Sequence, residues 1–209
     1  MKLDRRSFVK LCAATTGTAV VGGLGYLALR NRDPLSDFHS STEEVLGKQF
    51  GQDRAIALVH AIRREYGALT PEVPYIGGKD NIFTEWLTYG VYYLAVYRVL
   101  ASHDQPVEQV GRIIYETYEV MADRPQWLID LAGSLKYGQG YVERLKAAAA
   151  VSQERRHPGD WVCTFVEGGD AFDHGLDITE CGICKFYHAQ GADELAPYMC
   201  LSDYVVSRA

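Results

Sequence analysis

Helical periodicity runs from Ser41 to about Glu154 and stops at His157-Pro158-Gly159, where the pattern turns to strands. A chain that changes period once, late and at a Pro-Gly break cannot be an alternating βαβ fold. It reads as an α+β domain: a helical N-terminal two thirds, then a β-hairpin and short C-terminal helices. Ser41-Thr42-Glu43-Glu44 has the hydroxyl and acidic residues of a helix start, and Ala55, Leu58, Val59 and Ile62 recur at helical spacing. Residues 69–79 hold two prolines and two glycines and form a loop. Residues 81–100 carry the strongest helix, with Phe83, Trp86, Leu87, Val91, Leu94 and Ala95 on a face that tyrosines widen. Glu85 and Arg98 mark it as a buried helix rather than a membrane span. Pro106 opens the next helix, Pro125 separates it from a shorter one over 127–135, and another runs from Tyr141 to about Glu154.

After the break, residues 160–167 are aromatic and β-branched, Gly168-Gly169-Asp170 make a turn, and 174–179 return as a second strand. A helix over 183–190 ends at Gly191, and a final one starts near Pro197. Trp161 is expected as a core anchor, and the tyrosines of the 81–100 helix as core.

The N-terminus is read separately. Arg5-Arg6 followed by Phe8, Val9 and Lys10, then an uncharged stretch over 11–29, has the form of a twin-arginine export signal. Residues 1–33 are therefore a signal or an N-terminal anchor, 34–40 a linker, and 41–209 a single domain. The expected partners at this end are the twin-arginine translocation machinery and, through residues 11–29, the membrane. The destination is the periplasm or another extracytoplasmic space. Residues 1–33 hold six Lys/Arg and two Asp/Glu, so the remainder holds 15 basic and 25 acidic residues. Such an acidic body repels nucleic acid.

Four of the five cysteines fall between Cys163 and Cys200. Cys181 and Cys184 stand three apart where a strand meets a helix, and a thiol at a helix start ionises more easily. Cys200 and Asp203 share the same spacing, with Asp177, Thr179 and Glu180 just before the first pair. These types admit a catalytic thiolate with a carboxylate or His174 or His188 as base, a metal site, or structural cysteines. One CxxC leaves the three open.

The stretch from Phe172 to Phe186, with Asp177-Ile178-Thr179-Glu180-Cys181-Gly182-Ile183-Cys184 at its centre, resembles the L-2-amino-thiazoline-4-carboxylic acid hydrolase family. So does Gly191 to Asp203, with Met199-Cys200-Leu201-Ser202-Asp203. The resemblance implies a hydrolase that opens a small cyclic amidine such as 2-aminothiazoline-4-carboxylate to a carbamoylated cysteine. It implies Glu180, Cys181 and Asp203 as catalytic residues, with Cys181 as nucleophile or ligand, Glu180 as base and Asp203 as orienter or ligand. Asp177, Thr179, Cys184 and Cys200 are expected to line the substrate site. The cofactor is left open, a divalent metal being the one considered. The family pattern leads on to a further strand, so the domain is expected to be cut short at its C-terminus. The alternative is a non-enzymatic or redox metal-binding protein using Cys163, Cys181, Cys184 and Cys200.

Overall fold

The computed structural model describes residues 35–123, 140–170 and 172–206. The signal or anchor of residues 1–33 and the helix expected over 127–135 lie outside them. The chain divides into two compact units, residues 1–37 and 38–209. The architecture below is that of the second.

Five helices come first: α1 (Ser36–Phe50), α2 (Gln52–Leu69), α3 (Phe83–Ala101), α4 (Val107–Ala122) and α5 (Tyr141–Ser152). The strands β1 (Val162–Glu167) and β2 (His174–Glu180) follow as an antiparallel hairpin. Three short helices end the described chain: α6 (Gly182–Ala189), α7 (Ala196–Leu201) and α8 (Asp203–Val206). The α+β order read from the sequence is the order found. One boundary differs: α1 begins at Ser36, five residues before Ser41. Phe38 explains this, because it is buried and packs edge-on against Tyr93 and Tyr118, so tertiary contacts extend the helix past its local start signal.

Helix α3 is the axis. Phe83, Leu87, Val91, Tyr92, Tyr93, Leu94, Ala95, Val96, Val99 and Leu100 are all buried, which leaves almost no polar face. A helix apolar on all sides needs cover on all sides. Helices α2, α4 and α6 supply it. Asn81 fixes the start of α3: its side chain accepts the Phe83 N–H at 2.8 Å and donates to Asp160 at 2.7 Å, beside the start of β1. The loop over 69–79 is held by the same side chain, which donates to the Ile76 carbonyl at 2.6 Å.

Two glycines set how closely the C-terminal helices approach this core. A Cβ on Gly90 of α3 would stand 2.9 Å from Ile183 of α6. A Cβ on Gly111 of α4 would stand 2.0 Å from the Tyr198 ring of α7. Alanine is intrinsically the better helix residue by about 1 kcal/mol. Forcing an atom into a filled contact costs about 1–3 kcal/mol. The overlap at Gly111 falls on the inner ring atoms of Tyr198, so α7 itself must move. Gly111→Ala is therefore expected to destabilise by ~1–2 kcal/mol in denaturant unfolding. A stabilised Gly111→Ala protein would refute the close approach.

The hairpin leans on α5. The Ser152 hydroxyl accepts the Cys163 N–H at 3.0 Å and donates to the Ala149 carbonyl at 2.7 Å. Gln153 donates to the Cys163 carbonyl at 2.8 Å. The register slips once, between Val162 and Cys163. Trp161 is buried as expected, stacked on Phe83 with ring centres 5.2 Å apart.

Candidate functional site

The end of β2, the first turn of α6 and the end of α7 converge on three thiols. Cys181 is extended (φ −103°, ψ 123°) and is the N-cap of α6. Its carbonyl accepts the Lys185 N–H at 3.0 Å, closing the first helical turn. Gly182, the first helical residue, is required here: a Cβ would lie 2.5 Å from the Trp161 ring and 2.8 Å from the Gly159 carbonyl oxygen. The CxxC spacing then places Cys184 three residues into the helix, where an N-cap side chain and its third successor face each other.

Cys181 and Cys184 are neighbours across the first turn of α6. Burial, then repulsion from Cys181, pushes the Cys184 thiol up to about 11, so it keeps its proton at neutral pH. Cys200, on α7, is pushed up by burial and then by the charge of Cys181. Cys181 is thus the sulfur that both others sense. All three are free thiols; Cys181 is half-buried, and Cys184 and Cys200 are exposed.

Tyr187 and Tyr118 lie beneath the thiols. Tyr187 is wholly buried, donates to the Gly90 carbonyl at 2.8 Å, and feels the charges of Cys181, Cys184 and Cys200. Tyr118 of α4 is pushed up to about 12, first by burial, with Ser202 and Asp203 nearby. Asp203, which opens α8, has its carboxyl raised by burial, making it a readier proton acceptor than an ordinary aspartate. Neither tyrosine is named as a site residue by the sequence reading. Tyr118 sits at the core period of α4, which conceals its second neighbour.

Glu180 adjoins Cys181 in the chain but is committed elsewhere. Lys185 binds it at 2.6 Å and Arg155 binds its other oxygen. These hydrogen bonds, Lys185 first, hold the carboxyl below its usual range. A carboxylate so held is a weaker base than a free one. Lys185 also donates to the Asp160 carbonyl at 2.8 Å, so Glu180 anchors α6 to the start of β1. Lys185→Ala is expected to raise the Glu180 pKa in a carboxyl NMR titration. Because the folded value lies below the free one, the ion pairs support the fold fully above about pH 4.3 and are lost as pH falls through the folded value. An unchanged titration in Lys185→Ala would refute the pairing.

The remaining sequence-predicted residues make contacts of their own. Thr179 donates its hydroxyl to the Val162 carbonyl at 3.1 Å, and Asp177 is exposed on β2 opposite Thr164. His188 pairs with Asp193 at 3.0 Å, and His174 stacks on Phe165. Of the four cysteines of the metal-binding alternative, Cys163 makes its contact elsewhere. Cys163 is fully buried on β1 with its sulfur 3.7 Å from the Ser152 hydroxyl, because strand alternation turns it toward α5. Among the described residues no group of three or more His, Cys, Asp or Glu side chains is arranged to hold a metal ion. No helix among them is long and apolar enough to cross a membrane, and residues 11–29 lie outside them.

No curated protein and no solved structure matches this chain. A family model does, over residues 89–209, from the middle of α3 to the last residue. That stretch holds Gly90 and Gly111, which bring α6 and α7 in, as well as every thiol and tyrosine described above. The later part of α3, α4 and α5 thus fall within the same match as the cysteine-bearing end, and the chain belongs to the L-2-amino-thiazoline-4-carboxylic acid hydrolase family.

Proposed function

We propose that this protein hydrolyses a small cyclic amidine of the 2-aminothiazoline-4-carboxylate type, with Cys181 as the nucleophile. The observation that carries the reading is the setting of Cys181. It is a free thiol at the N-cap of α6, half-buried yet reachable from solvent, with Cys184 one helical turn on.

The chemistry follows from the product. For a carbamoylated cysteine to form, a water oxygen must end on ring C2 and the C2–S bond must break. The Cys181 sulfur adds to C2, and the ring nitrogen takes a proton as the tetrahedral centre forms. The ring sulfur leaves as a thiol, with C2 still bonded to Cys181. Water then adds to C2 and the Cys181 sulfur departs. Cys184 and Asp203 are the groups placed to hold or move these protons: Cys184 keeps its proton at neutral pH, and Asp203 binds one more readily than usual. Glu180 acts as an anchor in this scheme. The test is incubation with 2-aminothiazoline-4-carboxylate followed by thiol release and intact-mass measurement. Release of a free thiol, with a transient adduct on Cys181, supports the reading. Ring opening without any adduct, undiminished after Cys181 is alkylated, overturns it.

We further infer export by the twin-arginine route, on Arg5-Arg6, Phe8 and Lys10 ahead of the uncharged stretch over 11–29. That route carries folded proteins, so the thiols would be assembled, reduced, before export. Replacing Arg5 and Arg6 with lysine is expected to retain the protein in the cytoplasm on cell fractionation. Unchanged export would overturn the inference.

A further inference from the structure

Two features lie outside the hydrolytic scheme, and a third shares its sulfurs. The exposed apolar side chains of the hairpin, Val166, Phe172 and Ile178, have nothing on them to show what covers them. The Asn81–Asp160–Lys185–Glu180 network is fully satisfied and structural. The third is the dithiol itself, whose geometry suits a chemistry the hydrolysis does not use.

We propose that Cys181 and Cys184 form a reversible thiol–disulfide site, oxidised by low-molecular-weight disulfides. Residues three apart across a helical turn have Cα atoms about 5 Å apart, from a rise of 1.5 Å and a radius near 2.3 Å. A disulfide spans Cα separations of roughly 4.4–6.8 Å, so the pair can close without moving the backbone. Cys181 is the N-cap of α6 and Cys184 its third helical residue, so the two side chains share one turn, and both residues are reachable from solvent. Cys200 lies on another helix, α7, whereas Cys184 belongs to the turn that Cys181 caps. Cys184 is therefore the resolving partner.

The Cys181 thiolate attacks one sulfur of the small disulfide; the S–S bond breaks, a mixed disulfide forms on Cys181, and one small thiolate leaves and takes up a proton. Cys184 then loses its proton to solvent and attacks the Cys181 sulfur, and the second small thiol leaves. Two electrons pass from the protein to the small disulfide, which becomes two thiols. The site runs on the same sulfur as the proposed hydrolysis, so closing it would stop ring opening. That consequence rests on the nucleophile reading; the disulfide does not.

The test equilibrates the full chain with mixtures of reduced and oxidised glutathione, alkylates the remaining thiols, and maps the linked peptides by mass. Two of the five thiols are expected to disappear together, with a Cys181–Cys184 link. Cys184→Ser is expected to stall with one glutathione on Cys181, and Cys200→Ser to close normally. The proposal is overturned if the pair stays reduced in the most oxidising mixture, if the link maps to Cys200, or if Cys184→Ser carries no adduct. Ring opening is followed in the same samples. A closed pair with full activity would refute the nucleophile reading and leave the redox site standing.

Discussion

Cys181→Ala is expected to lower kcat/KM for ring opening by about a thousandfold or more, while leaving the thermal midpoint within a few degrees. A thousandfold is about 4 kcal/mol of transition-state stabilisation, at 1.36 kcal/mol per factor of ten. A nucleophile is removed outright by this change, and water attacking directly would have to replace a step the thiolate divides in two. The small structural effect follows from position. Cys181 is half-buried and caps α6 through its backbone, with no side-chain hydrogen bond to the helix end. The other cysteines calibrate the result. Cys163→Ala removes a buried sulfur near Ser152, far from the chemistry, and should lower stability without changing kcat. Cys200→Ala removes a neighbour that senses Cys181 and should cost about tenfold, as a lost general-acid or positioning contact would. The measurement is steady-state thiol release for the three variants at one pH, beside their melting curves. Activity of Cys181→Ala within tenfold of the parent would refute the nucleophile and make water the attacking group.

These calibrations also show what the sequence carries and what it does not. The hairpin and α6 are legible because their punctuation is local: Pro158-Gly159 before β1, glycines in the turn, and Gly191 after α6. The axis α3 is legible because its aromatic and aliphatic residues surround it, and Tyr92 and Tyr93 are indeed core. Helix α1 is read late because Ser41-Thr42-Glu43-Glu44 is a stronger start signal than Ser36-Asp37; Phe38 is buried through α3 and α4. For the site, the CxxC at a strand–helix junction suffices to bring Cys181 and Cys184 together. Chain proximity misleads for Glu180, whose carboxylate goes to Arg155 and Lys185. It misleads again for Cys163, which alternation along β1 turns toward Ser152. Tyr118 and Tyr187 show the converse. Core periodicity names them as packing, and only the tertiary approach of α4, α6 and α7 makes them the floor beneath the thiols.

Trp161→Ala is expected to cost about 3–5 kcal/mol of stability, the range for emptying a buried tryptophan site. In a chain of this size that lowers the melting midpoint by ~10 °C. Trp161 is only 2% exposed, stacks on Phe83 at 5.2 Å and meets Trp86 edge-on at 6.3 Å, so its loss leaves a cavity lined by α3 and the start of α6. The cavity opens toward Gly182, the first residue of α6, whose missing Cβ is what lets the indole approach. The wall that fixes the N-terminus of α6 is thereby removed, and Cys181 with it loses a fixed position relative to Cys200. Activity measured well below the new melting point should therefore fall as well, through kcat more than KM, because misplacement affects attack more than binding. Trp161→Phe keeps an aromatic wall and should recover most of both losses. Gly182→Ala approaches the same contact from the other side: its Cβ meets the indole and the Gly159 carbonyl, so it should destabilise although Trp161 is intact. Calorimetry and thiol-release kinetics on the three variants test the arrangement together. A midpoint shift under about 2 °C for Trp161→Ala would show that the indole does not hold α6, whatever its burial.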